Sequence, residues 1–223
     1  MTDFLRIPYE AVIFDLDGTL LDTLEDLYIA TNRGLARHGL PPRTREEVRA
    51  FVGNGVEMLI RRAVPAGCDE ATVTAVLADF KVIYAAICRE HTAPYPGIPE
   101  LLEALQAAGI PVAVVSNKFD EATGQLCKQY FGNLVAVAVG ERAGVRKKPA
   151  PDMVFEALRI LGRTARTAVY VGDSDVDIQT ARRAGIPCIS VTWGLRDEDF
   201  LIEQGACRLA HSPRELWEML AER

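Results

Sequence analysis

Four short stretches of this sequence carry side chains able to do chemistry. Asp15 and Asp17 stand two apart in Asp15-Leu16-Asp17-Gly18-Thr19-Leu20. Ser116-Asn117-Lys118 offers a hydroxyl, an amide and an ammonium. Lys148 precedes Pro149-Ala150-Pro151, and Gly172 leads into Asp173, Asp175 and Asp177. Carboxylates gathered in one place repel each other and are costly to keep ionised unless a cation neutralises them. Donors that are all oxygen suit a hard ion, so such a cluster is expected to hold Mg²⁺.

The elements that must bring these stretches together follow from hydrophobic patterning. Apolar runs mark strands at Ala11–Phe14, ending at Asp15; at Pro111–Val115, ending at Ser116; at Leu134–Val139; at Ala168–Val171, ending at Gly172-Asp173; and at Cys188–Val191. The runs are continuous rather than alternating, as strands buried on both faces of a parallel sheet must be. Helical spacing falls between them. Ile98, Leu101, Leu102, Leu105 and Ala108 form one stripe stopped by Gly109, and Val154, Phe155, Leu158 and Leu161 form another stopped by Gly162. Ser212-Pro213-Arg214-Glu215 reads as a helix start with a capping box, after which Leu216, Trp217 and Leu220 face the core. The alternation predicts an α/β fold, a Rossmann-like doubly wound parallel sheet. Ligands in such sheets bind at the carboxyl ends of the strands, which is where three of the four stretches lie.

From about Leu21 to Thr92 the alternation stops and only helical periodicity remains. Leu24, Leu27, Tyr28, Thr31 and Leu35 share one face, and Val73, Val76, Leu77, Phe80, Tyr84 and Ile87 share another. The predicted organisation is a catalytic core of residues 1–20 and 95–223 interrupted by an all-helical cap domain of residues 21–94. The chain is expected to hinge near Leu20-Leu21-Asp22 and Pro94-Tyr95-Pro96, so that the cap opens and closes.

Composition bounds the rest. The chain has 223 residues, 49% hydrophobic, with a net charge of -6. That composition supports a packed core and argues against nucleic acid as a partner. A small anionic ligand needs only local positive charge. Five cysteines with no CxxC pair fit a reducing compartment, and the opening residues do not read as a secretory signal. No apolar run approaches the roughly 20 residues that span a bilayer. The expectation is a cytoplasmic protein without nucleic-acid or membrane partners; its oligomeric state is left open.

Taken in order, Asp15-x-Asp17-Gly-Thr-Leu, Ser116-Asn117-Lys118, Lys148-Pro-x-Pro and Gly172-Asp173-x-x-x-Asp177 resemble the four motifs of the haloacid dehalogenase superfamily, and the resemblance covers about residues 10 to 195. It implies a Mg²⁺-dependent phosphatase acting on a small phosphorylated metabolite. Asp15 would be the nucleophile that becomes an aspartyl-phosphate, and Asp17 the acid and base. Asp15, Asp173 and the Asp17 carbonyl would hold the metal. Thr19, Ser116 and Asn117 would bind the phosphoryl group, Lys148 would offset its charge, and Asp177 would position Lys148 or metal-bound water. Asp175 fits the spacing less well and is left out. Asp17 favours phosphatase over dehalogenase chemistry, since a departing halide needs no proton.

In the cap, Phe51-Val52-Gly53-Asn54-Gly55-Val56 resembles the phosphoglycolate phosphatases, as does Thr192-Trp193-Gly194. Amides at a glycine-flanked helix start bind carboxylates well, which assigns Gly53 and Asn54 to the substrate. Two arginines, Arg61 and Arg62, stand where that family has one, and which of them meets substrate is open. A sugar-phosphate phosphatase or mutase, a pyrophosphatase, a receiver-type phosphoacceptor and a binding protein are the alternatives. Lys118 reads as a surface lysine near the site rather than a catalytic one, Lys147 as solvated, and Lys81, the lysine of the cap, as buried in its helical pattern. His38, His91 and His211 read as surface residues. The five cysteines and Trp217 read as packing residues, Trp193 as packing or as a substrate-side residue, and Ser174 and Asp173 as a helix cap in addition to any role in the site.

Overall fold

A computed structural model describes residues 8–221. The reading that the first seven residues carry no leader lies outside the described residues. The chain divides into two compact units, one running to Leu20 and again from Pro94, the other spanning Leu21–Ala93.

The first unit contains strands β1 (Ala11–Phe14), β4 (Val112–Phe119), β5 (Val137–Glu141), β6 (Ala168–Gly172), β7 (Cys188–Val191) and β8 (Leu209–Ala210). They form a six-stranded sheet in the order β5-β4-β1-β6-β7-β8, parallel at every pairing. Helices α5 (Ile98–Ala107), α6 (Asp120–Phe131), α7 (Asp152–Leu161), α8 (Asp175–Ala184), α9 (Glu198–Glu203) and α10 (Pro213–Ala221) complete the unit. Every residue of β1 and β6 is buried, as expected for strands covered on both faces. A core cluster around Ile13, Val115, Met153, Ala157, Tyr170 and Ala181 packs sheet against helices. The chain starts at the centre with β1, moves out to β4 and β5, and returns to the other side of β1 at β6. The strand order therefore reverses between β1 and β6, and the crevice beyond their carboxyl ends is where such sheets bind ligands.

The strand ends differ from the expected ones in two places. β4 does not stop at Ser116 but continues to Phe119, with its register against β5 shifting between Val115 and Phe119. Such irregularities re-aim side chains. The Leu134 end of the third run is a 3-10 turn at Gly132–Leu134, so β5 starts only at Val137; apolar content alone does not separate that turn from a strand. Phe155, assigned to a buried stripe, is exposed, and Met153 and Ala157 are buried in its place. At α10 the Ser212 hydroxyl caps Glu215 N–H at 3.1 Å, but the Glu215 carboxylate accepts from the N–H of His211, one residue ahead of the cap.

The second unit contains α1 (Leu24–Arg37), α2 (Arg45–Phe51), α3 (Val56–Ala63) and α4 (Glu70–Ile87), and a two-stranded ribbon joins β2 (Leu21–Asp22) to β3 (Ala93–Pro94). α1 and α4 pack along one another at Gly34, where an added Cβ would lie 3.7 Å from Phe80. α2 opens with a complete capping box between Thr44 and Glu47. Lys81 lies on the exposed side of α4, because the buried positions of that helix are Val73, Val76, Phe80, Ile83, Tyr84 and Ile87. Among the described residues no helix is long and apolar enough to cross a membrane.

Asp26 of α1 is fully buried. It accepts from the backbone N–H groups of His91 and Thr92 at 3.0 and 2.9 Å, from the Thr92 hydroxyl at 2.7 Å, and faces His91 Nδ1 at 2.9 Å. This carboxylate ties the end of the helical unit to its first helix. Removing it would take an acceptor from the buried Thr92 N–H and hydroxyl and from the His91 N–H. Asp26→Ala is expected to lower unfolding stability in urea by about 2–4 kcal/mol. A loss below about 0.5 kcal/mol in that titration would show that the carboxylate is not holding the segment.

Candidate active site

Asp15 follows β1 directly, and its N–H donates to the Val171 carbonyl of β6 at 2.9 Å, which fixes it at the strand crevice. Its Oδ1 accepts from the Leu16 N–H at 2.6 Å and lies 2.8 Å from Lys148 Nζ. Lys148 is itself buried and places its three donors on Asp15, on Asp177 Oδ1 at 2.8 Å and on Tyr170 Oη at 3.1 Å. Burial alone would lower the Lys148 pKa; the charges of Asp15 and Asp177 outweigh it and raise it, so the ammonium stays charged.

Asp173 stands at the end of β6. Its Oδ1 accepts from the Thr19 hydroxyl at 2.8 Å and its Oδ2 from the Leu195 N–H at 2.8 Å. Burial, and then the charge of Asp177, push its pKa up to about 7. Burial, Asp177 and Asp173 likewise push Asp15 up, against the pull of Lys148. Ligand atoms of Asp15, Asp173 and Asp177 all lie within 4.8 Å of one another. Three carboxylates this close, with two held above their usual range, are short of positive charge, which a divalent cation would supply.

Asp177 is the least suited of the three to touch that cation. Its Oδ1 faces Lys148 and the Tyr170 hydroxyl at 2.8 and 3.0 Å, and its Oδ2 accepts from the Ser174 N–H and hydroxyl at 3.1 and 2.6 Å. A carboxylate offers about four acceptor positions, and these four are filled. Ser174 and Asp177 form the capping box of α8, so the helix start and the site share one hydrogen-bond set; Asp173 takes no part in the cap.

The family model described as haloacid dehalogenase-like hydrolase matches residues 12–191 of the chain. The chain belongs to the haloacid dehalogenase-like hydrolase family. It is 38% identical over 189 residues to the phosphoglycolate phosphatase of Pseudomonas putida, covering 82% of this chain and 69% of that protein. It is 34% identical over 219 residues to the N-acetylmuramic acid 6-phosphate phosphatase of Pseudomonas aeruginosa, covering 96% of each. Among solved structures, a protein of Lactobacillus delbrueckii subsp. bulgaricus that carries a phosphoglycolate phosphatase designation superposes with a TM-score of 0.91 at 36% identity, over 95% of this chain and 98% of that one. CbbY from Rhodobacter sphaeroides, in complex with phosphate, gives 0.75 at 30% identity over 93% and 96%.

Within this family member the other residues singled out from sequence divide by what they touch. Thr19 is fully buried and gives its hydroxyl proton to Asp173. Ser116 is buried, and its Oγ accepts from the Lys118 N–H at 3.2 Å, which leaves its own proton to donate. The Asn117 side-chain amide donates to the Lys148 carbonyl at 3.0 Å. Asp175 lies outside the cluster, 3.8 Å from Arg196. Gly53 and Asn54 belong to the helical unit, where Asn54 Oδ1 accepts from Arg62 at 2.7 Å and Gly55 caps α3. Arg61 instead bonds Glu70 and Glu57.

Several residues of the site were not expected there. Lys118 is not a surface lysine: it is buried, and Nζ stands 3.0 Å from both oxygens of Asp17, aligned for a hydrogen bond to Oδ2. Asp17 Oδ1 is buried and makes no hydrogen bond. The run-on of β4 past Ser116 is what carries Lys118 inward. Tyr170 could have been suspected, since a tyrosine inside an apolar strand must find a partner for its hydroxyl. Trp193, already a substrate-side candidate from sequence, donates Nε1–H to the Thr19 carbonyl at 3.0 Å. Gly18 and Gly194 clasp Asp173: a Cβ on either would come within 2.4 Å of an Asp173 atom. Cys207 is exposed and so is not a packing residue.

Gly194 has no positive φ, so Gly194→Ala tests the space its Cβ would take from Asp173 and from the Gly18 carbonyl, each 2.4 Å away. It is expected to weaken divalent-ion binding, followed by titration calorimetry, by about tenfold or more. Unchanged affinity would mean that Asp173 is not held for a metal.

Proposed function

We propose that this chain is a Mg²⁺-dependent phosphatase of small phosphate monoesters that works through an aspartyl-phosphate on Asp15. The observation that carries the reading is the ordering of Asp15: both donors named above fall on Oδ1, leaving Oδ2 to attack phosphorus. That attack forms the Oδ2–P bond as the P–O bond to the leaving group breaks. Asp17, with Lys118 Nζ 3.0 Å from both its oxygens and hydrogen-bonded to Oδ2, protonates the departing alkoxide. It then takes a proton from the water that releases phosphate and regenerates Asp15. Lys148 and the Ser116 hydroxyl meet the charge that spreads over the phosphoryl oxygens. Mg²⁺, held by Asp15, Asp173 and the Asp17 carbonyl, would neutralise nucleophile and phosphoryl group together. Thr19 is assigned to orienting Asp173, Asn117 to fixing the Lys148 backbone, and Asp177 to positioning Lys148.

The proposed substrate is 2-phosphoglycolate, supported by the names of relatives and by the segment Gly53-Asn54-Gly55 ahead of α3. The Arg62 bond to Asn54 adds a positive charge there, suited to a carboxylate. A second reading has one observation in its favour: the N-acetylmuramic acid 6-phosphate phosphatase matches nearly end to end. That substrate also joins a carboxylate to a phosphate monoester, so the two readings differ in size rather than in chemistry. The helical unit, residues 21–94 in this proposal, supplies the selectivity. Five unpaired cysteines support a reducing, cytoplasmic setting.

Phosphate release is the test, measured with and without Mg²⁺ on 2-phosphoglycolate, N-acetylmuramic acid 6-phosphate, glucose 6-phosphate and pyrophosphate. Turnover is expected to require Mg²⁺ and to prefer 2-phosphoglycolate, and Asp15→Asn is expected to reduce it by at least about a thousandfold. Preference for the muramic acid ester would select the second reading; turnover that survives chelation would overturn the metal. Asn54→Ala is expected to raise KM for the preferred metabolite by about tenfold or more while leaving an aryl phosphate unaffected. Equal losses on both would remove Asn54 from substrate recognition.

Lys118→Met leaves Asp17 without its cation. It is expected to lower kcat by about a hundredfold, with KM little changed. A kcat within about twofold of the parent would separate Lys118 from the acid-base step.

A further inference from the structure

Away from the site, two cysteines lie side by side at the sheet edge. β7 and β8 are parallel, with Ser190 opposite Leu209 and Val191 opposite Ala210, and the Ser190 N–H donates to the Arg208 carbonyl at 2.9 Å. Carrying that register two residues back sets Cys207 opposite Cys188. Cys207 lies two residues ahead of β8, where its Sγ donates to the Gly205 carbonyl at 3.5 Å, and both cysteines reach the side of the sheet that faces α8. Both cysteines line one hollow of about 390 Å³, walled by Ile178 and Arg182 of α8 and by Gly205. Neighbouring strands stand about 4.7–4.9 Å apart, inside the Cα separation of about 4.4–6.8 Å that a disulfide spans.

We infer that Cys188 and Cys207 form a dithiol site that a small anionic disulfide, such as oxidised glutathione, converts into an intramolecular disulfide. Cys207 is exposed and Cys188 half-buried, so Cys207 reacts first. Its thiolate attacks one sulfur of the small disulfide, forming a mixed disulfide and releasing one small thiolate. Cys188 then gives up its proton and attacks the Cys207 sulfur, releasing the second. Two protein thiols are oxidised and one small disulfide is reduced to two thiols. Burial, then the charge of Asp177, push the Cys188 thiol up to about 12, so Cys188 is the less ready of the two to ionise. Arg182, exposed on the wall of the hollow, favours an anionic reagent.

The test uses the full chain, reduced and then exposed to oxidised glutathione, alkylated and digested with trypsin. Cleavage after Arg196 separates the two cysteines, so the disulfide would link peptide 184–196 to peptide 197–208. The expected result is that linked pair, preceded in time by glutathione on Cys207. Cys207→Ser, a change at an exposed position, is expected to abolish it, and Cys188→Ser to stop the reaction at the mixed disulfide. Cys207 capped while Cys188 remains alkylatable, Cys207 joined to another cysteine, or both thiols still free would each overturn the proposal.

Discussion

Lys148 places a buried ammonium between two buried carboxylates, Asp15 and Asp177, and the arrangement of the site depends on that charge. Without it, two anions would face each other at the end of β1 and the start of α8 with the Tyr170 hydroxyl on Asp177 but no ammonium between them. Breaking a buried pair by removing one partner typically costs about 3–5 kcal/mol, because the remaining charge stays unpaired. The same ammonium also fixes which oxygen of Asp15 is engaged. The chemistry proposed for the other oxygen follows from that choice.

Around this bridge, the fold spends its strand ends and helix starts on orientation. Asp177 serves the capping box of α8 and the bridge at once, so the helix cannot shift without moving Lys148. Asp173 is held by Thr19, Leu195 and the two glycines that clasp it, which draws the loops after β1 and β7 to the end of β6. Lys118 does for Asp17 what Lys148 does for Asp15. The result is a set of acidic groups held in place before any ligand arrives, as electrostatic preorganisation requires.

Much of this could be read from the chain. The continuous apolar runs gave β1, β6 and β7 at their observed positions, because strands buried on both faces admit little else. Asp15 and Asp173 follow the ends of β1 and β6, where strand-end reasoning put them. What was hidden depends on non-local geometry. The inward turn of Lys118 comes from an irregularity in β4 pairing that no local pattern marks. The clasp of Gly18 and Gly194 on Asp173 joins residues far apart in sequence. β8 is two residues long, too short for periodicity to register. Asp26 occupies a buried position of α1 that a hydrophobic stripe passes over, since its partners at His91 and Thr92 lie at the other end of the helical unit.

If Asp15 carries the phosphoryl group during turnover, a rapid acid quench traps it there. Peptide mapping of the quenched enzyme is expected to find phosphate on the peptide that contains Asp15, with Asp17→Asn increasing the trapped fraction by slowing release. Phosphate on a different residue, or turnover with no trapped phosphoenzyme in either protein, would contradict the account.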